Sequence, residues 1–468
     1  MAKEILCLST LYLLFSMLGP AYGQTGLNQK IDAIYADYER QPGAMVGIWK
    51  DGVVLFAKAY GQANLEHQVP FSTTTTSDIG SVAKQFTCYA ILLLEQEGEL
   101  ALDDDIRSYL SFVPDFETPI TIRHLMTHTS GLREIYSTEQ VRGRRSGDAM
   151  FQEDVIQLVE RQQELNFTPG SRFMYCNTAY ALLAEIVEEV SGLPFEQWMF
   201  GHVFEPLGMQ RTFIMDRQGE VFPQMAASYS LQVDSIYTKV YDNNTLRGQG
   251  GIYSCLDDMM KWMEYLADEM GQASVVMEKM TEPTLLSNGD TLDYAKGLYV
   301  NDFRGLQRIF HSGSSAGYRS GLVYYPEYDL GIFVNVNAPN VPLYETLDLI
   351  AEFFLGEEMD PVPDYSSDAS ASEPSYTAGA TDTEWTGRYY SAELETAYDL
   401  FLKDEKLMGR HFRHGTFVLE RTGENTFQSD RSFFPEIRFE RNRQQKITGL
   451  RLSMGRAVQM YFEKQKDE

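Results

Sequence analysis

Apolar residues first settle into a period near Leu27. Leu27, Ile31, Ile34, Tyr35 and Tyr38 recur at helical spacing and predict an amphipathic helix. The period then changes. Ala44 to Lys50 and Val53 to Phe56 are short apolar runs separated by Asp51-Gly52, which predicts a β-hairpin. From about Ser81 to Met280 helical patterning dominates, with clear amphipathic runs at Tyr180–Val187 and Met259–Met263. Strand-like runs return at Ile309–His311, Gly321–Tyr325 and Gly331–Val336, and a last helix is expected from Leu343 to Leu355. Helices from both ends of this stretch around an antiparallel sheet, with a helical insert between, predict an α/β (α+β) sandwich with a helical subdomain.

Beyond Leu355 the pattern breaks. Residues 357–382 carry Pro361, Pro363, a serine cluster from Ser366 to Ser372 and Pro374 without apolar periodicity, and are expected to be a linker. Alternating runs follow at Asp399–Leu402, Phe417–Leu419, Ile437–Glu440, Leu450–Met454 and Val458–Phe462, which predict a small antiparallel β-module over 383–468. Its interior is expected to be filled by side chains, the alternative being a bound apolar ligand. A chain ending near Asp364 is expected to keep the chemistry, because every candidate motif precedes it.

Lys3 precedes an apolar run from Ile5 to Leu18, and Ala21-Tyr22-Gly23 has small residues at the positions a signal peptidase reads. Residues 1–23 are therefore expected to be a signal peptide, leaving a catalytic domain over 24–356 and an exported, periplasmic or secreted protein. No later segment is long enough to span a bilayer, so no stable membrane insertion is expected after cleavage. The net charge of −28 argues against nucleic acid or an anionic membrane as partner. Cys7 lies in the expected signal, and Cys88, Cys176 and Cys255 make an odd set, which does not suit a disulfide framework.

The chemistry concentrates in three places. Ser81-Val82-Ala83-Lys84 puts an amine one helical turn from a hydroxyl that is too weakly acidic to attack unaided. Tyr175-Cys176-Asn177 and His311-Ser312-Gly313 follow in order. With Ile120–Leu132, Thr168–Ser171 and Pro206–Met209, these motifs resemble the penicillin-recognising serine hydrolases, penicillin-binding-protein-like enzymes of the class C β-lactamase-related branch, from about Leu27 to Leu355. The trailing β-module resembles the lipocalin-like modules found behind this domain.

The resemblance implies that the three motifs meet in one cleft, with Ser81 as nucleophile. Packing around Val82, Phe86, Ile91 and Leu92 would bury Lys84 and push it toward neutrality. Tyr175 could instead take the serine proton as a phenolate, its pKa depressed by a lysine cation. The base role stays open between Lys84 and Tyr175. By resemblance, Asn177 bonds Lys84 and the substrate acyl group, and the backbone N–H groups of Ser81 and Ser314 form an oxyanion hole. Gly313 lets a substrate backbone approach.

His311 stands where many β-lactamases and peptidases have lysine. A neutral imidazole holds a carboxylate weakly, gaining charge only below about pH 6.5. Arg319 is either a surface arginine, the expected reading, or a substitute anion holder. Esters or amides, as in an esterase or a D-amino-acid peptidase or amidase, are thus expected as substrates, through a Ser81 acyl-enzyme. A β-lactamase or D-Ala-D-Ala carboxypeptidase is the alternative, and a non-catalytic ligand-binding protein on the same fold is another class of reading. No cofactor is expected and no metal. His124 and His128 have zinc-pair spacing but no glutamate follows His124, and Gly248-Gln249-Gly250-Gly251 lacks the lysine of a phosphate loop.

Overall fold

The computed structural model describes residues 26–145, 147–362 and 383–466. The expected signal peptide and the part of the expected linker over 363–382 lie outside the described residues. Residues 26–34 form the first helix, and its recurring apolar positions Leu27, Ile31 and Tyr35 are buried.

Six strands build the central sheet: β1 (Ala44–Lys50), β2 (Val53–Tyr60), β3 (Tyr299–Phe303), β4 (Leu306–Ser315), β5 (Tyr318–Tyr325) and β6 (Leu330–Val336). Their spatial order is β3-β4-β5-β6-β1-β2, antiparallel throughout. The chain's early hairpin thus completes a sheet whose other strands come more than two hundred residues later. Asp51 and Gly52 both have positive φ, +49° and +81°, the two-residue loop that matches strand twist.

The main helices are α1 (Lys84–Glu97), α2 (Ile135–Arg142), α3 (Asn177–Ser191), α4 (Leu256–Gly271) and α5 (Tyr344–Leu355). One sheet face is covered by the first helix and α5, pinned by the Tyr35 hydroxyl on the Pro342 carbonyl at 2.7 Å. On the other face α4 packs against β1 and β6. α1 is buried on nearly every side, from Lys84 through Leu92, as a helix at the centre of a fold must be. It packs on α3, and this crossing brings the first two motifs together.

The helical stretch is less uniform than its periodicity suggests. It contains a hairpin, Ser228–Leu231 with Tyr237–Val240, and a short strand, Ile252–Ser254, between Ser77–Asp78 and Phe213–Ile214.

The C-terminal module is a closed barrel of eight antiparallel strands between Gly387 and Lys464. The last strand pairs with the first, Tyr389 opposite Lys464. Inward-facing Tyr389, Tyr398, Leu400, Phe417, Phe427, Phe439, Leu452, Met460 and Phe462 are buried in its core. The barrel does not hang from a tether. Arg133 and Glu393, both buried, pair across the junction. The Tyr398 hydroxyl donates to the Val141 carbonyl at 2.8 Å, Arg413 meets Asp148 at 2.9 Å, and Arg451 meets Glu164 at 2.6 Å.

Candidate active site

Ser81 lies in a single 3-10 turn, Gly80–Ala83, that leads into α1. Lys84, the first residue of α1, points back at it. The amine nitrogen Nζ is 3.0 Å from Ser81 Oγ, 2.9 Å from Asn177 Oδ1 and 2.5 Å from the Gln249 carbonyl oxygen. A carbonyl oxygen can only accept. The orientation of Asn177 is fixed independently, because its Nδ2 donates to the carboxylate of Glu134 at 2.9 Å. A neutral Lys84 therefore spends its two hydrogens on Asn177 and Gln249 and turns its lone pair toward the Ser81 hydroxyl. Burial, then the neighbouring Arg456 charge, holds the Lys84 amine well below its usual range.

Tyr175 lines the cavity beside Ser81, and its ring faces Lys84 with Nζ 4.9 Å from the centroid. The expected depression of its phenol is corrected here. Burial dominates and raises the pKa, with the neighbouring Ser81 hydroxyl opposing only in part. The two candidate bases are thus pushed in opposite senses, toward a neutral amine and a protonated phenol.

The third motif sits on β4. Gly80 has φ +52°, and a Cβ there would lie 2.5 Å from the Ser314 nitrogen, so the absence of a side chain brings Ser314 beside Ser81. Ser314 joins Ser81, Tyr175 and Asn177 in lining a cavity of about 600 Å³. Gly313 plays a different part from the one expected. The space its side chain would fill is taken by the protein itself, with Ile79 O at 2.1 Å and Ser320 Oγ at 2.2 Å from a Cβ. It admits the segment that leads into Ser81, not a substrate backbone.

Two residues expected to line the substrate site, His311 and Arg319, lie elsewhere. His311 is 2% exposed and lies behind Tyr175, its Nε2 3.3 Å from the Tyr294 hydroxyl and its Nδ1 2.6 Å from the Ser312 carbonyl. Burial lowers it to about 3, so it gains no charge near pH 6.5. Arg319 neighbours Ser320, whose hydroxyl donates to Ile79 at 2.6 Å on the active-site face. Strand alternation turns Arg319 to the opposite face, where Nη1 donates to Ala316 O and Tyr318 O at 3.2 and 2.5 Å.

Three contributors escaped sequence reading. Arg456, on the turn between barrel strands Ile447–Met454 and Ala457–Lys464, lines the cavity with its guanidinium 5.2 Å from the Tyr175 centroid. Glu134, fully buried, caps α2 by accepting from Ser137 N at 2.9 Å and holds Asn177 with its other oxygen. Asp242 follows the Tyr237–Val240 strand on the cavity wall. Its partners are the hydroxyls of Tyr253 and Ser315, at 3.2 and 3.1 Å, and the Asn244 amide at 3.2 Å, none of them cationic. Asp78 lies buried beside it, its carboxyl raised well above the usual range by burial and then by the Asp242 charge. The only local signals were Glu134 next to the Ile120–Leu132 run and the turn-like Gly455-Arg456.

Cys176 is a buried spectator, its thiol pushed up to about 12 by burial. His128 Nδ1 accepts from Cys176 N at 3.0 Å and His124 Nδ1 from Thr121 N at 3.2 Å, so the two rings serve the fold.

Residues 27–357 match the family model described as Beta-lactamase, and the chain belongs to that family of serine hydrolases. A D-aminopeptidase of Gluconobacter oxydans is 27% identical over 76% of this chain and 65% of its own length. A Bacillus subtilis penicillin-binding protein is 27% identical over 76% of this chain and 81% of its own. The chain spans less than two thirds of the D-aminopeptidases it matches, 59% for one from Cereibacter sphaeroides. Among solved structures, the octameric penicillin-binding protein homologue from Pyrococcus abyssi aligns over 94% of this chain and 99% of its own, at 24% identity and a TM-score of 0.62. The fold therefore extends through the barrel. No described helix is long and apolar enough to cross a membrane.

Proposed function

We propose that this protein is an exported hydrolase that cleaves amides and esters of D-amino acids through a Ser81 acyl-enzyme. The observation that carries the mechanism is the set of three contacts at Lys84 Nζ, which leave its lone pair for Ser81. Lys84 takes the hydroxyl proton as Oγ adds to the substrate carbonyl. The oxyanion is met by the backbone N–H groups of Ser81 and Ser314. Tyr175, kept protonated, donates to the leaving nitrogen or oxygen and recovers a proton from Lys84. Water then attacks the acyl-enzyme, returning a proton along the same path and releasing the acid.

The relatives named D-aminopeptidase support the substrate class, as does Asp242. A carboxylate on the cavity wall with no basic partner among the described residues suits the ammonium of an N-terminal residue. A second reading, hydrolysis of β-lactams or D-alanyl-D-alanine peptides, draws support from Arg456, a cation on the cavity wall where His311 supplies none.

A fluorophosphonate probe is expected to label Ser81, read by mass spectrometry of the tagged peptide. Label on another residue, or undiminished label in Ser81→Ala, overturns the mechanism. D-aminoacyl p-nitroanilides should be cleaved with a higher kcat/KM than a chromogenic cephalosporin, and Asp242→Asn should raise KM about tenfold for free-amine substrates but not for their N-acetyl forms. The reverse preference establishes the second reading.

A further inference from the structure

The groups that face the proposed nucleophile are mostly neutral. Lys84 and Tyr175 are faced by the thiols of Cys88 and Cys176, both pushed up to about 12 by burial. They are also faced by the phenols of Tyr180, Tyr294 and Tyr299, all raised by burial. The remaining rings are His128 and His311, both held neutral by burial. Of the charged groups, Glu134 and Arg456 act most strongly on the pair, while Arg144, Arg145, Asp148 and Asp242 line the same cavity. Glu134 belongs to the catalytic domain and Arg456 to the barrel.

Arg456 is built into place. Its backbone N–H donates to Ser137 Oγ at 3.2 Å, in the first turn of α2 that Glu134 caps. Asn166 clamps the following residues, its Nδ2 donating to Arg456 O at 3.0 Å and its Oδ1 accepting from Val458 N at 3.0 Å. The buried Arg133 donates to Val458 O and pairs with Glu393. The turn therefore holds the guanidinium 5.2 Å from the Tyr175 centroid and 3.5 Å from the second oxygen of Glu134. A chain of contacts runs from barrel to nucleophile: Arg456 to Glu134, Glu134 to Asn177, Asn177 to Lys84, Lys84 to Ser81.

We infer that Arg456 is a positioning residue that sets where the proton rests among Ser81, Lys84 and Tyr175, making the barrel a working part of the catalytic centre. Glu134 alone would favour the Lys84 ammonium, which cannot accept the serine proton. Arg456 offsets that carboxylate, repels a second cation at Lys84 and eases negative charge on Tyr175. Glu134 is fully buried and the Arg456 side chain is 38% exposed, so solvent screens the pair only in part. This inference rests on the Ser81 acyl-enzyme reading and adds the barrel to it.

The test uses the full-length protein and an uncharged acetate ester, so that no substrate charge enters. In Arg456→Gln the loss of a cation raises the Lys84 pKa. The acidic limb of the kcat/KM profile should move up by about one pH unit, with a loss of about tenfold at a pH below both limbs. Arg456→Lys keeps the charge and should restore most of the position of the limb, which also covers the case in which the glutamine variant fails to fold. Fluorophosphonate labelling of Ser81 should slow with the same displaced pH dependence. An unmoved limb in Arg456→Gln overturns the inference. So does a defect confined to KM for carboxylate-bearing substrates, which would make Arg456 a substrate anchor. Failure of the wild-type protein to label at Ser81 instead removes the underlying reading, so the two failures are distinguishable.

Discussion

Two hydrogens and a lone pair decide the roles of Lys84 and Tyr175. Because Asn177 Oδ1 and Gln249 O can only accept, the third direction on Nζ is the one that matters. Lys84→Ala should lower kcat at least about a hundredfold, the scale of general acid–base assistance. Tyr175→Phe should do the same while keeping its fold, since the ring contacts with His128 and Tyr294 survive. Both are read by steady-state kinetics beside a thermal melt. His311 has a different consequence. Its folded pKa, about 3, lies below the unfolded value near 6.5, so the unfolded chain takes up a proton first as pH falls. Its contribution to stability is whole above about pH 6.5 and is lost progressively toward pH 3. His411, lowered to about 4 by burial, adds to the same window. Melting temperature should fall from pH 6.5 to 4, and His411→Phe should flatten that slope.

At the level of elements, the site depends on a crossing of β4 over the turn that carries Ser81. Gly313→Ala would drive a methyl into Ile79 O and Ser320 Oγ, and backbone cannot swing aside as a long side chain would. A destabilisation of about 1–3 kcal/mol is expected. Turnover should fall further than stability, because Ile79 is two residues from the nucleophile; denaturant titration and kinetics on one sample separate the two. The elements themselves were largely legible. α3, α4, α5 and the inner strands bury continuous or periodic apolar runs, and their periods are plain. The Ser228–Val240 hairpin was not, because Tyr-Ser-Leu and Tyr-Thr-Lys-Val are short, half exposed and set among helices. Gly387–Ser391, Lys406–His411 and Thr426–Gln428 escaped for a related reason: the run of inward residues in each is too brief to carry a period.

For the whole molecule, the junction between the two domains matters more than the separate motifs suggested. Ser81, Lys84, Tyr175 and Asn177 were readable from spacing and resemblance, but Arg456 was not, since nothing in Gly455-Arg456 records what the turn faces. The expectation that a chain ending near Asp364 keeps its chemistry changes accordingly. Such a chain would strand Arg133, which is 1% exposed and paired with Glu393, and leave Glu134 without its cation. It should be inactive or poorly folded. In the full chain, Glu393→Ala should cost about 3–5 kcal/mol, the usual effect of leaving one buried charge unpaired, measured by denaturant unfolding.

The clamp on the Arg456 turn also has a consequence in time. Domains tend to fold as units and then dock. Ser81 and its amine belong to the catalytic domain, and the guanidinium arrives only when a closed barrel seats on Arg133 and Asn166. On dilution from denaturant, secondary structure should return before ester hydrolysis does. The interval between them measures the docking step, and Arg133→Met should lengthen it.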